Sequence, residues 1–302
     1  MHFIGLDWGT SSLRAYLIDE QGKICQRVSS DQGLLAIKNN QFQQPLAELL
    51  ASLPGPGEYG ERTAILAAGM VTSRNGWLET PYVTCPASVE ALAGELTPLD
   101  TEQYGRIWFM PGLCQASPSP DIIRGEETQL AGLECPGKRV VIMPGTHSKW
   151  VRLVDREVQQ FSTYLTGDLF NAVRHHTILQ AIPKGVWKME DFKQGVKTGF
   201  DDYRRGRSLL SSLFQVRATT ILATSTHTNS ESYLSGLLIG AEIAEASATD
   251  YSSDTPYLII ANQRLTELYT TALTLCGLRG ESAGEDIAAK GLFKIARAKQ
   301  LI

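Results

Sequence analysis

The chain has no strong charge of either sign. Its 302 residues carry 28 Lys and Arg against 32 Asp and Glu, a formal net charge of −4. Basic residues form no block, and Arg204-Arg205-Gly206-Arg207 is the densest basic cluster. This balance argues against a nucleic-acid or membrane-surface binder. Long apolar runs are also missing: none approaches the roughly 20 residues that a membrane-spanning helix needs. The sequence begins directly on a strand pattern, His2–Asp7, so no secretory leader is expected. Cysteine is sparse, with five residues (25, 85, 114, 135 and 276) that are scattered and form no CxxC pair. That pattern supports neither a disulfide framework nor a zinc site, and it points to reduced thiols in a cytoplasmic protein.

The sequence does contain one pattern made twice. Gly9-Thr10-Ser11-Ser12-Leu13-Arg14-Ala15-Tyr16-Leu17-Ile18-Asp19 is echoed by Gly145-Thr146-His147-Ser148-Lys149-Trp150-Val151-Arg152-Leu153-Val154-Asp155. Each copy follows an apolar run, Phe3–Leu6 or Val140–Met143, and each leads into a second strand. A tight Gly-Thr turn between strands presents backbone N–H groups and hydroxyls, which suit phosphate oxygens. Two such turns suggest an ATP clamp built from two related halves.

The rest of the chain reads as alternating helix and strand. The expected strands are His2–Asp7, Ser12–Ile18, Lys23–Ser30, Thr63–Ala68 and Arg106–Met110, then Arg139–Met143, Lys149–Val154, Val158–Leu165 and Pro256–Ile260. Helical spacing appears over Pro45–Leu53, which Pro54-Gly55-Pro56-Gly57 would end, and over Pro86–Leu96 and Gly125–Leu133. It recurs over Leu169–Leu179, Met189–Arg204, Ser208–Val216, Glu231–Ala248, Thr266–Cys276 and Glu285–Ala298. A βββαβ order made twice describes an α/β protein of two ribonuclease-H-like domains, with mixed sheets flanking an interdomain cleft. Gln115–Pro120 is the expected linker, giving domains 1–116 and 117–302.

Several residues are candidates for chemistry. Asp7, at a strand end beside the first turn, is placed to hold Mg²⁺ through water, or else caps its own turn. The second copy has Met143 at that place, as one shared metal would require. Gly9, Thr10, Ser11, Gly145, Thr146, His147 and Ser148 are the candidate phosphate contacts. Lys149 could meet the charge of a transferred phosphoryl group, or simply be a solvated strand residue. Glu126 and Glu127 open a helix, where either could take a hydroxyl proton or merely complement the helix dipole. Asp168 is a third acid, read first as a helix cap. Ser73, Arg74 and Trp77 lie on a polar, aromatic loop, and Arg74 or Arg124 could receive a substrate carboxylate in a fork. One decoy is set aside: Gly132–Lys138 fits GxxxxGK, but Arg139 follows and the segment leads into a strand, which breaks P-loop geometry.

With these residues in place the chain resembles the 2-dehydro-3-deoxygalactonokinase family, of the sugar kinase, Hsp70 and actin superfamily. The resemblance rests on IGLDWGTSSLRA, AGMVTSRNGWLETPYVTCPA, MPGLCQ, IIRGEETQLAGL, VIMPGTHSKWV, TGDLFNAV and YLSGLLIGAEIA, and it covers nearly the whole chain. It implies ATP-dependent phosphorylation of 2-dehydro-3-deoxy-D-galactonate on its 6-hydroxyl, a step in galactonate breakdown. ATP, Mg²⁺ and a small sugar acid would be the partners, with a homodimer as one candidate assembly. Related kinases carry a catalytic acid in a Gly-Asp-Gln segment ahead of the second phosphate turn. Glu126, 19 residues before Gly145, takes that place here, with Glu127 and Asp168 as the alternatives. Such kinases also carry a Gly-rich turn before a late helix, where this chain has Ala261-Asn262-Gln263-Arg264. In this superfamily the last helix packs back on the first domain. The other readings are a kinase for a different 2-keto-3-deoxy acid, an ATPase switch of the same fold, or a silent sugar-acid binder.

Overall fold

Continuous apolar runs become the buried strands of this molecule, and mixed runs become its edges. In the computed structural model, residues 2–53, 63–181, 185–224, 227–249, 251–252, 254–284 and 286–302 are described. The expected Pro54–Gly57 turn lies outside them. Strand β1 (His2–Trp8) is buried along most of its length, whereas β3 (Ile24–Ser30) alternates half-buried and exposed residues; β2 (Leu13–Asp19) lies between them in the sheet. After helix α1 (Gln43–Ala51) comes β4 (Ala64–Ala68), whose Ala-Ile-Leu-Ala-Ala run pairs in parallel with β1, as expected of a buried strand. Then follow β5 (Tyr82–Thr84), α2 (Val89–Gly94), β6 (Thr97–Thr101), β7 (Gly105–Phe109), β8 (Gly112–Gln115), β9 (Asp121–Ile123) and α3 (Glu126–Gly132).

The second half contains β10 (Lys138–Met143), β11 (Ser148–Val154), β12 (Glu157–Tyr164), α4 (Thr166–His176), α5 (Met189–Arg204), α6 (Leu209–Ile221) and α7 (Ser230–Ser247). It ends with β13 (Tyr257–Ile259), α8 (Gln263–Leu275), β14 (Gly280–Ser282) and α9 (Ile287–Ala298). Two sheets share one plan. The first runs β3-β2-β1-β4-β7-β6, and the second runs β12-β11-β10-β13-β14. In each, three sequential strands precede two that join in parallel: β1–β4–β7 in one, β10–β13–β14 in the other. This 3-2-1-4-5 order, made twice, is the ribonuclease-H-like arrangement of actin-like ATPases. The first sheet gains an antiparallel edge strand, β6, and β5-β8-β9 form a separate small sheet.

By their contacts the residues fall into two compact units. One comprises 1–137, 154–160 and 284–302; the other comprises 138–153 and 161–283. The division does not fall at the expected 116/117 boundary. Residues 116–120 only connect β8 to β9, which pair antiparallel with Leu113 opposite Ile123 and Gln115 opposite Asp121. The presumed linker is therefore a hairpin loop inside the first unit. Residues 154–160 join that unit because Val158 exchanges two backbone hydrogen bonds of 2.9 Å with Ala87. Helix α9 belongs there too, packed on α3 and α2.

Each unit has its own core. In the first, Trp77 stacks on Phe42 with ring centroids 5.7 Å apart, and Trp8 and Phe109 meet it edge-on. In the second, Tyr164, Tyr251 and Tyr257 surround the fully buried Trp150. Buried aromatics of this size each remove about 150–250 Å² from water, so these clusters anchor their sheets. Helices α5 and α7 approach backbone to backbone through Gly195, Gly199, Gly236 and Gly240. A Cβ at any of them would lie 2.0–2.2 Å from a carbonyl oxygen of the other helix. No helix among the described residues is long and apolar enough to cross a membrane.

Candidate functional site

The first Gly-Thr turn is closed by its own backbone and backed by its neighbours. The Gly9 N–H donates to the Ser12 carbonyl at 2.9 Å, while Leu34 and Leu35 donate to the carbonyls of Gly9 and Thr10, each at 3.0 Å. Gly33 sits so close that a Cβ would lie 2.3 Å from the Ser11 carbonyl carbon. Thr10 and Ser11 remain exposed at the tip. Asp7 enters from β1, opposite Arg14 on β2, and its carboxylate accepts from Arg14 Nη1 at 3.2 Å. Burial pushes the Asp7 carboxyl above its ordinary range, and Arg14 only partly offsets this.

Two further elements of the first unit meet this strand end. Asp7 is in register with Ala68 of β4, so Gly69 follows directly, and a Cβ on Gly69 would lie 2.7 Å from the Trp8 carbonyl oxygen. Gly125, just before α3, lies against Gly69 in turn. The start of α3, with its two glutamates, thus reaches the end of β1 that carries Asp7. Glu127 is fully buried: its carboxylate accepts from the Gly125 N–H at 2.5 Å and from the Thr128 hydroxyl at 3.2 Å. Burial, with the Glu126 charge beside it, pushes Glu127 up to about 7. Glu126 is half-buried in the first turn of α3.

The expected substrate contacts separate. Arg74 is 85% exposed, with Glu79 at 3.7 Å. The Ser73 hydroxyl donates to the Met70 carbonyl at 2.7 Å, closing its own turn. Trp77 is not on an open wall, because its ring belongs to the aromatic core of the first unit. Nor is Arg124 an open fork. Its Nη1 donates to the Thr72 carbonyl and to the hydroxyls of Thr72 and Thr80, its Nη2 to the Thr80 carbonyl, and its plane lies over Tyr82 at 4.2 Å. The guanidinium ties the 72–82 loop together.

The second turn is backed by a helix. Gly167, in the first turn of α4, has no room for a Cβ, which would lie 2.3 Å from the Gly145 carbonyl oxygen. The Asp168 N–H donates to the Thr146 carbonyl at 2.8 Å. The Asp168 side chain is exposed and makes no cap; the cap position is Leu165. Gly145, Thr146 and His147 are exposed beside this helix start, where backbone N–H groups and the helix dipole favour an anion. Ser148 and Lys149 do not belong to the exposed tip. Ser148 is fully buried and donates to Glu242 at 2.7 Å, while Lys149 is 6% exposed and donates from Nζ to Thr163 at 2.7 Å. Because β11 is covered on both faces at its start, neither side chain alternates outward as the sequence suggests.

A cavity of about 310 Å³ adjoins this turn within the second unit. Its lining includes Gly145, Thr166 and Gly167, and also Trp187, Asn262 and Arg264. Arg264 lies over the Trp187 ring at 5.0 Å, and the Asn262 side chain caps α8 by accepting from Leu265 at 3.0 Å. Leu238, Leu265 and Leu268 make much of the remainder apolar. Such a mixture of apolar wall and few polar groups is typical of a ligand pocket. The sequence pointed to the 261–264 turn, but Trp187 carried no signal beyond being an isolated aromatic.

Comparison with known proteins identifies the family and the fold. Residues 7–295 match the sequence pattern of the family described as 2-keto-3-deoxy-galactonokinase. The chain is 37% identical to DgoK1 of Rhizobium meliloti, named a probable 2-dehydro-3-deoxygalactonokinase, over 98% of this chain and 97% of that one. It is 32% identical to the 2-dehydro-3-deoxygalactonokinase of Escherichia coli, over 98% of each. A crystal structure of a candidate 2-dehydro-3-deoxygalactonokinase from Sinorhizobium meliloti superposes with a TM-score of 0.84 at 36% identity, over 98% of both chains. The activator of 2-hydroxyisocaproyl-CoA dehydratase from Clostridium difficile, 10% identical with a TM-score of 0.51 over 99% of this chain and 96% of its own, shares the fold alone.

Proposed function

Because the chain belongs to the 2-keto-3-deoxy-galactonokinase family, we propose that it transfers the γ-phosphoryl group of ATP to the 6-hydroxyl of 2-dehydro-3-deoxy-D-galactonate. It is an ATP-dependent kinase of a small sugar acid, with actin-like ATPase architecture. One observation carries the nucleotide part of the reading: the cavity of the second unit is continuous in its lining with the Gly145 turn and the start of α4. The nucleoside occupies the apolar part, with its base near Trp187 and Arg264, and its phosphates meet the backbone N–H groups around Gly145–His147 and Gly167. Thr10 and Ser11 form the exposed turn of the first unit.

Phosphoryl transfer depends mainly on positioning and charge neutralisation, with little covalent work for the protein. The sugar hydroxyl gives its proton to Glu126 as its oxygen bonds to the γ-phosphorus, and the bond from phosphorus to the ADP oxygen breaks. Glu126 is favoured over Glu127 because the Glu127 carboxylate is buried and holds the Gly125 turn. Asp168 is held by its backbone to the second turn. Among the described residues no cluster of three or more His, Cys, Asp or Glu forms a self-sufficient metal cage. A single carboxylate at a strand end suits Mg²⁺, which takes few protein ligands and completes its shell with water and phosphate. Asp7 is that carboxylate, and the ion would neutralise phosphate charge. Arg74, exposed beside Glu79, is the remaining candidate for the substrate's carboxylate end.

The test is a coupled ADP-release assay over a panel of 2-keto-3-deoxy acids. Clear preference for the galactonate-derived acid is expected. Equal or faster turnover of the gluconate-derived epimer would reassign the substrate, and ADP release that no acid stimulates would remove the kinase reading.

A further inference from the structure

One buried carboxylate of the second unit has no part in the chemistry above. Glu242, on α7, is 3% exposed. Its Oε1 accepts from the Ser148 hydroxyl and from Trp150 Nε1, both at 2.7 Å. Its Oε2 accepts from the Tyr269 hydroxyl at 2.8 Å and from the Thr166 hydroxyl. The indole N–H can only donate, and each hydroxyl has one proton to give, so four donors meet a group that in its ionised form only accepts. The carboxylate is therefore satisfied without a cation. Burial raises the Glu242 carboxyl above its ordinary range, and these four bonds partly offset that.

The donors come from three separate walls. Ser148 and Trp150 lie on the strand that leaves the Gly145 turn, Thr166 is the first residue of α4, and Tyr269 is on α8. Thr166 and Tyr269 line the cavity, whereas Glu242 does not. The close approach of α7 to α5 at Gly236 and Gly240 fixes the helix just ahead of this side chain. We infer that Glu242 is a positioning residue for the nucleotide: it fixes the start of α4, the second turn and α8 in one arrangement before ligand arrives. Preorganisation of this kind raises affinity by removing the ordering cost from the binding step. The inference rests on the kinase reading and adds to it the residue that sets nucleotide affinity.

The experiment compares wild type with Glu242→Gln in three measurements: ADP binding by calorimetry, steady-state kinetics against ATP, and thermal melting. The amide nitrogen cannot accept, so Thr166 and Tyr269 must turn their protons elsewhere. The ADP Kd and the ATP KM are expected to rise about tenfold, with kcat at saturating ATP within about twofold. A merely structural role would lower the melting temperature and leave KM in place. A folded Glu242→Gln protein with wild-type ADP affinity overturns the inference. If that variant does not fold, Thr166→Val and Tyr269→Phe each delete one donor, and unchanged ADP affinity in both overturns it equally. Should wild type itself bind no ADP, the kinase reading fails first.

Discussion

The two Gly-Thr turns are the same device placed in different surroundings. Each follows the first strand of a 3-2-1-4-5 sheet, and each is pressed by a glycine from a neighbouring segment, Gly33 or Gly167. What differs is what each turn serves. The first has Asp7 on its entering strand, with the glutamates of α3 close to that strand's end. The second has Met143 in place of Asp7, but it gains a helix start, a cavity and the buried Glu242. The repeated element thus differs in its neighbours more than in itself, and the proposed function assigns reaction chemistry to one copy and the nucleotide to the other.

The largest effect should come from erasing the acid that only one copy has. Asp7→Asn is expected to lower turnover about 10³-fold, the scale of losing a preorganised electrostatic partner of the transferred group. Calorimetric melting should stay cooperative, and Met143→Asp should not restore the rate. Near-normal turnover of Asp7→Asn would end the proposed division between the copies.

The two glutamates come next. Glu126→Gln should lower kcat about 10²-fold with less change in KM, and the same loss from Glu127→Gln alone would move the base by one residue. Glu127 has its own signature. Its folded pKa, about 7, is raised above the ordinary 4.5. The native state therefore holds the proton more tightly. The stability this contributes is complete below pH 4.5 and is lost as pH rises through about 7, on the order of 3 kcal/mol in all. Urea melts between pH 5 and 8 should show this slope in wild type and a flatter profile in Glu127→Gln.

Smaller effects test the supports. Gly167→Ala must displace the Gly145 turn and should raise the ATP KM about tenfold, by steady-state kinetics. Gly33→Ala presses instead on the first turn, and its expected loss is in kcat; identical kinetic signatures for both would erase the distinction. Smallest of all, Arg264→Ala should weaken ADP binding about threefold, the scale of an exposed cation–π contact. ADP should also change the fluorescence of Trp187, which a Trp187→Phe control identifies.

Much of the fold is legible because its central strands are unbroken apolar runs and its long helices keep their spacing. The α5 range is read correctly to the residue. The small sheet is not legible, because β5 and β9 are three residues each and β5 pairs across the sequence with β8, Tyr82 opposite Gly112. The turns of the candidate site stand out because they repeat. Which of their side chains face outward does not, since Ser148 is buried against Glu242 of α7, far along the chain, and Lys149 reaches Thr163 of β12. Arg124 and Trp77 mislead for the same reason: polarity and aromaticity mark a site or a support equally well. Glu242 did leave a trace, as a lone acid inside the apolar stretch Leu237–Ala244 of α7.

Helix α9 has a consequence for how the molecule is made. It packs on α3, the helix that opens with Glu126 and Glu127, yet follows it by more than 150 residues of sequence. On the ribosome, strands β1–β4 emerge early but their unit is complete only with α9, whereas every residue of the unit holding the cavity is synthesised before it. On the proposed function, a nascent chain should therefore be able to grip nucleotide before it can turn it over, and a bound nucleotide would stabilise the finished half while the other is still being synthesised.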